Sequence, residues 1–197
     1  SVDNDSADSR GTFSLYINSI DGDAFYSRAD GSWDNDTIWS LVSHTGPAAG
    51  SIPSADDAVF IQGHSITVDT ADSCATAYII VDDNNTALTI NGTDAELVVN
   101  GQLSMINNGP NYNGNLLITN GGDLQVLENA IFTRNGGNNT FGFSLQQNAS
   151  TSVGNDLIWQ SEGGGVANNT MILDNQSMLS VSRDVILENN GGMKIQT

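Results

Sequence analysis

Few residues in this sequence are of the types that carry out chemistry. There is one cysteine, Cys74, and there are two histidines, His44 and His64, and their spacing matches no zinc or redox-metal site. A lone cysteine forms no intrachain disulfide, so Cys74 is interpreted as a small buried residue and not as a nucleophile. His64 follows Gly63, and a structural hydrogen-bonding role in that turn is expected for it. No catalytic, cofactor-binding or transition-metal residue is predicted.

Adjacent carboxylates are the next candidates, because glycoside hydrolysis needs two carboxyl groups facing each other across a cleft. Asp56 adjoins Asp57, and Asp82 adjoins Asp83, but neighbours on a strand point to opposite faces. They are interpreted as solvated or turn-forming residues. Uronate lyases need cations, yet the chain has one lysine, Lys194, and four scattered arginines. The chain is therefore predicted not to be an enzyme.

The composition limits the partners. Five Lys and Arg against 23 Asp and Glu give a net charge of −18, which opposes binding to nucleic acid or to an anionic membrane surface. No apolar run approaches the roughly 20 residues of a membrane helix, so no membrane insertion is predicted. Calcium is compatible with the many Asp and Asn residues, but neither an EF-hand loop nor a glycine-aspartate nonapeptide repeat is present, so no residue is assigned to it.

Any functional site must be positioned by a repeat of three strands and three turns. From about residue 86, turns rich in Asn, Gly and Asp alternate with short apolar strands. The first strands lie at 88–90, 116–118, 141–143 and 171–173, the second at 97–99, 124–126, 151–153 and 179–181, and the third at 103–105, 131–133, 157–159 and 185–187. All three series have a period of roughly 27 residues, which is typical of a solenoid.

This period predicts an all-β fold: a right-handed parallel β-helix, or β-solenoid, with three strands per coil, about 27 residues per coil and an irregular N-terminal cap. An earlier, less regular coil is predicted from segments 58–61, 66–68 and 78–81. Residues 1–54 are interpreted as a flexible N-terminus with a β-rich cap, and residues 55–197 as the solenoid, open or continued at its C-terminal end. Asparagines at equivalent corners serve turn geometry or form side-chain amide ladders.

Aromatic residues and loops supply the remaining candidates. Trp33 and Trp39 are predicted to plug the first coil, with sugar stacking as the alternative. The run 13–17 is assigned to the cap or to an exposed edge. The longer connections, 106–113, 134–139, 160–169 and 188–192, are expected to emerge along one edge, where they form either a contact surface or loops with no function.

The N-terminal motif carries a family resemblance. Its segments, in order, are Gly31-Ser32-Trp33, Thr37-Ile38-Trp39-Ser40, Ile52-Pro53, Asp56-Asp57-Ala58-Val59, Ile61-Gln62-Gly63-His64 and Ile66-Thr67-Val68-Asp69. This order resembles the opening of β-solenoid modules in large surface and secreted proteins of gliding bacteria that type IX secretion exports, and it is similar to the start of the G8 domain. The stretch 41–51 is longer than such modules have before the proline. The resemblance implies an extracellular or cell-surface location and a role in adhesion, display or carbohydrate contact.

Three functions are therefore weighed. The leading one is a non-catalytic structural or adhesive segment of an extracellular surface protein, with end-to-end self-association into a filament. The second is a carbohydrate-binding module that uses the loop edge or exposed aromatics such as Tyr112 and Trp159. The third is an accessory domain of a polysaccharide-processing enzyme.

Overall fold

The structure is a computed structural model that describes residues 22–81, 85–108, 113–135, 140–162, 169–174, 176–188 and 193–196. Within these residues the chain consists of β-strands joined by turns, together with one 3₁₀ turn, Asp36–Ile38. Asn35 precedes that turn, and its side-chain oxygen accepts a hydrogen bond from the backbone N–H of Thr37 at 3.1 Å. The predicted all-β fold class is confirmed.

The described strands are short, mostly four to six residues, and are numbered here in chain order. They are β1 (Ala24–Ser27), β2 (Gly31–Ser32), β3 (Trp39–Ser40), β4 (Ala58–Gln62), β5 (Ser65–Val68), β6 (Ala71–Cys74), β7 (Thr76–Val81), β8 (Ala87–Asn91), β9 (Glu96–Val99), β10 (Leu103–Asn107), β11 (Asn113–Thr119), β12 (Asp123–Val126), β13 (Ala130–Asn135), β14 (Thr140–Leu145), β15 (Ser150–Val153), β16 (Leu157–Glu162), β17 (Asn169–Leu173), β18 (Met178–Val181), β19 (Val185–Glu188) and β20 (Met193–Gln196).

From β4 onward, every third strand returns to the same sheet. Sheet A has eight strands in the order β3-β1-β4-β7-β10-β13-β16-β19. Sheet B has seven in the order β2-β5-β8-β11-β14-β17-β20, and sheet C has five in the order β6-β9-β12-β15-β18. These pairings are parallel except that of β1 with β3. The chain is therefore a parallel β-solenoid with three strands per coil, as predicted.

The coil length is nearly constant from β7 to β19 and varies outside that part; Ala24 of β1, for example, pairs with Ala58 of β4, 34 positions later. Leu103 of β10 pairs with Ala130 of β13, and Asp123 of β12 pairs with Ser150 of β15, each pair 27 positions apart. At the start, Ala58 of β4 pairs with Thr76 of β7, only 18 positions later. The predicted period is confirmed for the regular part, and the first coil is the irregular one.

One element of the first coil was predicted incorrectly. The sequence predicts segment 78–81 as the last strand of the coil that begins at residue 58, but Tyr78 pairs with Phe60 in sheet A and so opens the next coil. The missing strand is β6, which pairs with β9 in sheet C. Because β6 reads Ala-Asp-Ser-Cys, its sequence lacks the apolar alternation that marks the other strands.

The core consists of columns of inward-facing side chains, one column for each inward position of a sheet. Alternate residues of a strand point to opposite faces, so the buried positions recur at i and i+2. Fully burying a large apolar side chain contributes about 1.5–3 kcal/mol. The columns with the most buried members are Phe25, Val59, Ala77, Leu103, Ala130 and Leu157; Ile66, Leu88, Leu116, Phe143 and Met171; and Ile61, Ile79, Met105, Phe132 and Trp159.

Trp33 and Trp39 close one end of this core. Both side chains are 0% exposed, their rings meet edge to face with centroids 5.1 Å apart, and Trp39 Nε1 donates a hydrogen bond to the Trp33 carbonyl at 2.8 Å. Phe25 and Ile38 complete the plug, each 3% exposed. The predicted plugging role of the two tryptophans is confirmed, and the sugar-stacking alternative is wrong because neither ring reaches the surface.

Asparagine ladders are present at two of the corners. Asn120 Nδ2 donates to Asn91 Oδ1, and Asn135 Nδ2 donates to Asn108 Oδ1, each at 2.6 Å between neighbouring coils. Asn120 also has a φ of 55°, a left-handed conformation that asparagine tolerates better than most residues. Asn120 therefore has both roles predicted for corner asparagines: it adopts the turn conformation, and it forms part of a side-chain ladder.

The parallel ladders extend into the segment assigned to the cap. β1 pairs with β4 in sheet A, and β2 pairs with β5 in sheet B. Within the described residues, no helix has the length and apolarity to cross a membrane. The N-terminal run 13–17 lies outside the described residues.

Candidate functional site

Both histidines of the chain meet at one buried serine. His64 Nδ1 lies 3.1 Å from Ser27 Oγ, and His44 Nδ1 lies 2.7 Å from the Ser27 carbonyl, to which it must donate a proton. The backbone N–H of Gln62 donates to the same Oγ at 3.1 Å. The pairing of β1 with β4 brings these residues together, because it places Ser27 beside the turn that follows β4.

This serine–histidine contact holds the cap and does not expose a nucleophile. Ser27 is 0% exposed, so its hydroxyl has no access to a substrate. Gly63, which begins the turn, has a φ of 69° and donates its N–H to Thr86 Oγ1 at 2.9 Å. The hydrogen-bonding role expected of His64 is observed, while the contact with His44 had no signal in the sequence.

The adjacent carboxylates Asp56 and Asp57 have different environments. Asp57 is 8% exposed and accepts hydrogen bonds from Asp23 N at 2.7 Å, Ser54 N at 2.8 Å and Ser54 Oγ at 2.7 Å. Asp56 is exposed in the turn before β4. Asp57 thus fastens the segment before β1 to the start of the solenoid, and the two carboxyl groups are not placed together for catalysis.

An acidic cluster that sequence reasoning missed lies beside the cap. Thr70 Oγ1 donates to Asp34 Oδ2 at 2.7 Å, and Ser32 Oγ donates to Asp69 Oδ1 at 2.9 Å. Asp72 occupies the inward row of sheet C, since it pairs with Leu97. Burial first, and then the negative charge of Asp34, raise the pKa of Asp72 to about 6.

We expect Asp72→Asn to stabilise the protein at pH 7.5 and to leave it unchanged at pH 4. The folded pKa of Asp72 exceeds the unfolded value of about 3.9, so its stabilising effect is complete below pH 4 and is lost as pH rises toward 6. The asparagine avoids that loss, which amounts to about 1 kcal/mol once screening at this half-exposed site is allowed for. Urea unfolding at both pH values measures the difference.

The matched control is Asp94→Asn, which changes an exposed turn carboxylate. Its effect on the free energy of unfolding should be the same at both pH values. A loss of stability in Asp72→Asn at pH 7.5 would show that the charged form of Asp72 is favoured instead.

Cys74 lies in the core, as predicted. It faces inward beside Val99, is 0% exposed and forms no disulfide. Burial, with smaller contributions from Asp57 and Asp72, raises the pKa of its thiol far above the usual range. A buried, protonated thiol is inert, so Cys74 is a packing residue.

Trp159 was predicted to be an exposed aromatic, and this prediction is wrong. Its side chain is 0% exposed and stacks on Phe132 with ring centroids 4.5 Å apart. All three residues of the segment 157–159 are apolar, so the alternation of faces could not be inferred from the sequence; the pairing with β13 sets it. Tyr112, Asp82, Asp83, the side chain of Lys194 and most of the predicted contact loops lie outside the described residues.

An aromatic ladder runs along the outer surface of sheet A. Tyr26 stacks on Phe60, and Phe60 stacks on Tyr78, both with ring centroids 5.1 Å apart. The edge of His44 packs against Tyr26 at 5.3 Å. Because the rings stack on one another, they mainly present edges to solvent, whereas a sugar-binding aromatic needs an open face.

The same outer surface continues as two short rows of isoleucines, together called the isoleucine face. Ile80 pairs with Ile106 in one row, and the second row, two positions away along the strands, contains Ile131, Ile158 and Ile186. All five side chains point away from the core and are partly exposed. The outer surface of sheet C is different, because it carries Glu96, Asp123 and Gln125 at its outward positions. Of sheets A and C, sheet A is therefore the one with the mainly apolar outer surface.

A shallow groove crosses the outer surface of sheet B. It has a volume of about 340 Å³, and its lining includes the polar side chains of Thr89, Asn115, Ser144 and Gln146 over Leu117. These hydroxyl and amide groups carry no charge. They suit hydrogen bonding to a neutral polar ligand better than to an ion.

Comparisons with known proteins add no relative. No family model, no curated protein and no solved structure matches the chain. The resemblance of the N-terminal motif to type IX secreted modules and to the G8 domain thus has no support from a family model. The function has to be argued from the geometry.

The described residues contain no group of three or more His, Cys, Asp or Glu side chains that could hold a metal ion. No residue is assigned to calcium. The arrangement offers packing surfaces and hydrogen-bonding groups, and the geometry most relevant to function is the solenoid itself, with its two different ends and its different outer surfaces.

Proposed function

We propose that this chain is a non-catalytic structural segment of an extracellular surface protein, in which it forms a rigid rod that assembles end to end. The observation that carries the proposal is the uninterrupted parallel pairing of sheet A from β1 to β19 around a continuous apolar core. Parallel ladders of this kind resist bending. Each added coil repeats the same strand pairing and core contacts, so it lengthens the rod.

The two ends of the rod favour head-to-tail contact. One end is plugged by Trp33 and Trp39, which are fully buried. At the other end, Val185 and Leu187 occupy inward positions of β19 but are 50% and 52% exposed, although their partners in β16 are buried. A further coil would bury these side chains, and a second copy can supply it through a heterologous contact that propagates.

The cell-surface location rests on different support. The N-terminal motif resembles that of type IX secreted and G8-like modules, whose settings are extracellular. A net charge of −18 opposes non-specific aggregation of a repetitive, strand-rich protein, which suits an adhesive or display role outside the cell.

Negative-stain electron microscopy of the purified chain, with and without calcium, tests the proposal. We expect unbranched filaments with an axial repeat of a few nanometres, since stacked strands advance about 4.8 Å per coil. Filaments that form only with calcium would show that calcium takes part in the contact between copies. Globular particles without an elongated axis, with or without calcium, would contradict the rod.

A pair of variants locates the axial contact. Leu187→Glu places a charge at the exposed inward position of β19 and should shorten the filaments strongly. Ser180→Glu makes the same change in charge at an exposed position of neighbouring β18 and should leave filament length unchanged. Equal filament lengths in the two variants would show that the β19 end is not the contact.

Carbohydrate binding is the second candidate, and the groove on sheet B is the observation that favours it. Its uncharged hydroxyl and amide lining matches the hydrogen-bonding groups of neutral sugars. A glycan array with the full chain separates a binding module from a passive rod. The function of an accessory domain in a polysaccharide-processing enzyme would need the same binding together with a catalytic partner.

A further inference from the structure

We infer that the apolar outer surface of sheet A is a lateral interface between two copies of this chain. This inference goes beyond the rod, because it concerns the side of the solenoid and not its ends. It places two solenoids side by side, with the isoleucine face and the aromatic ladder of one copy packed against those of the other.

Charge is the first argument. The chain has 23 acidic residues, yet no outward position of sheet A from β4 to β13 has a charged residue. The outer surface of sheet C differs, because it has Glu96 and Asp123. An exposed surface that combines isoleucines with an aromatic ladder and has no charged residue over four strands is typical of a protein contact surface.

Charge also selects the partner. Two copies that each carry a net charge of −18 repel one another wherever carboxylates face carboxylates. The outer surfaces of sheets A and B are both free of charged residues over several coils, but that of sheet B is mainly polar. The apolar surface of sheet A is therefore the one where two copies can approach without like charges facing each other. A basic partner would instead be attracted to the acidic surfaces, such as that of sheet C.

Size and shape support a pair of copies. The surface spans six strand spacings, from β1 to β19, or roughly 30 Å, and its strands of four to six residues make it about 17 Å wide. Glu188 lies at an outward position of its last strand. Two such surfaces bury roughly 1,000 Å² in total, which is the lower limit for a specific interface. Sheets that pack face to face interdigitate their side chains, and the two isoleucine rows, Ile80 with Ile106 and Ile131 with Ile158 and Ile186, supply such side chains.

Sedimentation velocity of the full chain over a range of concentrations tests the inference. We expect a reversible monomer–dimer equilibrium that 0.5 M salt strengthens, because salt screens the repulsion between two acidic chains. The Leu187→Glu variant is measured in parallel, since it removes the axial contact and should keep the lateral dimer. A dimer in that variant supports the lateral interface whether or not filaments form.

Two substitutions locate the interface. Ile158→Thr keeps a β-branched side chain on the strand and should raise the dimer dissociation constant about tenfold, because a symmetric pair loses the apolar group twice. Ile131→Glu should leave only monomer. The control for charge is Ser152→Glu, at an exposed outward position of sheet C, which should dimerise as the parent chain does.

Circular dichroism shows whether each variant keeps its strands, and Ile158→Thr serves as the test if Ile131→Glu does not fold. A dimer that survives both substitutions overturns the inference. So does a chain that is monomeric at every concentration, whether the surface stays open or residues 1–21 cover it.

Discussion

Replacing Trp39 by alanine is expected to lower the free energy of unfolding by about 3–5 kcal/mol. Trp39 is 0% exposed, packs against Trp33 and donates the hydrogen bond from its indole N–H to the Trp33 carbonyl at 2.8 Å. Its removal opens the end of the core to water, so both buried area and a buried hydrogen bond are lost. Urea unfolding followed by far-ultraviolet circular dichroism measures the effect.

Two controls separate the plug from general damage. Trp39→Phe keeps an aromatic ring but loses the N–H, and should cost less than the alanine variant because most of the cavity stays filled. Leu41→Ala changes a residue two positions away that is 42% exposed, and should change stability by less than about 1 kcal/mol. A Trp39→Ala variant as stable as Leu41→Ala would show that the tryptophans do not hold the cap.

Replacing Asp57 by alanine is expected to cost about 2–3 kcal/mol, because three hydrogen bonds to one carboxylate are lost together. The lost contacts join Asp23 and Ser54 to the start of β4, so the cap should loosen before the coils do. Hydrogen exchange of the backbone amides should therefore increase first in β1 and β4. Thermal and urea unfolding give the total effect.

The neighbouring carboxylate provides the control. Asp56→Ala removes an exposed side chain of the same charge and should alter stability by less than about 0.5 kcal/mol. Asp57→Asn keeps one acceptor oxygen and should lie between the two alanine variants. If the Asp56 and Asp57 variants have equal effects, then net charge and not the hydrogen bonds governs the stability of this corner.

The repeat made the solenoid predictable from sequence, because three series of strands with one period leave few other ways to bury their apolar residues. Less could be predicted where the local pattern and the strand pairing disagree. β6 has polar residues at Asp72 and Ser73, and it is a strand because β9 offers it a parallel partner. Trp159 lies in a run of three apolar residues, so only its pairing with Phe132 assigns it to the core.

The candidate sites were less predictable because each depends on residues from different coils. His44 and His64 are 20 positions apart, and they meet only because β1 pairs with β4 after the long excursion between β3 and β4. The isoleucine face could not be seen either. Its members follow or precede other apolar residues, and register alone determines which of them point outward.

The antiparallel strand β3 makes the two edges of sheet A different. β3 covers β1 at the plugged end, and its chain runs opposite to every other strand of that sheet. In the proposed head-to-tail rod, each junction would join the β19 edge of one copy to the β3 edge of the next, and these strands would pair antiparallel. Every junction would thus interrupt the parallel ladder once, and the two tips of such a fibre would be chemically distinct.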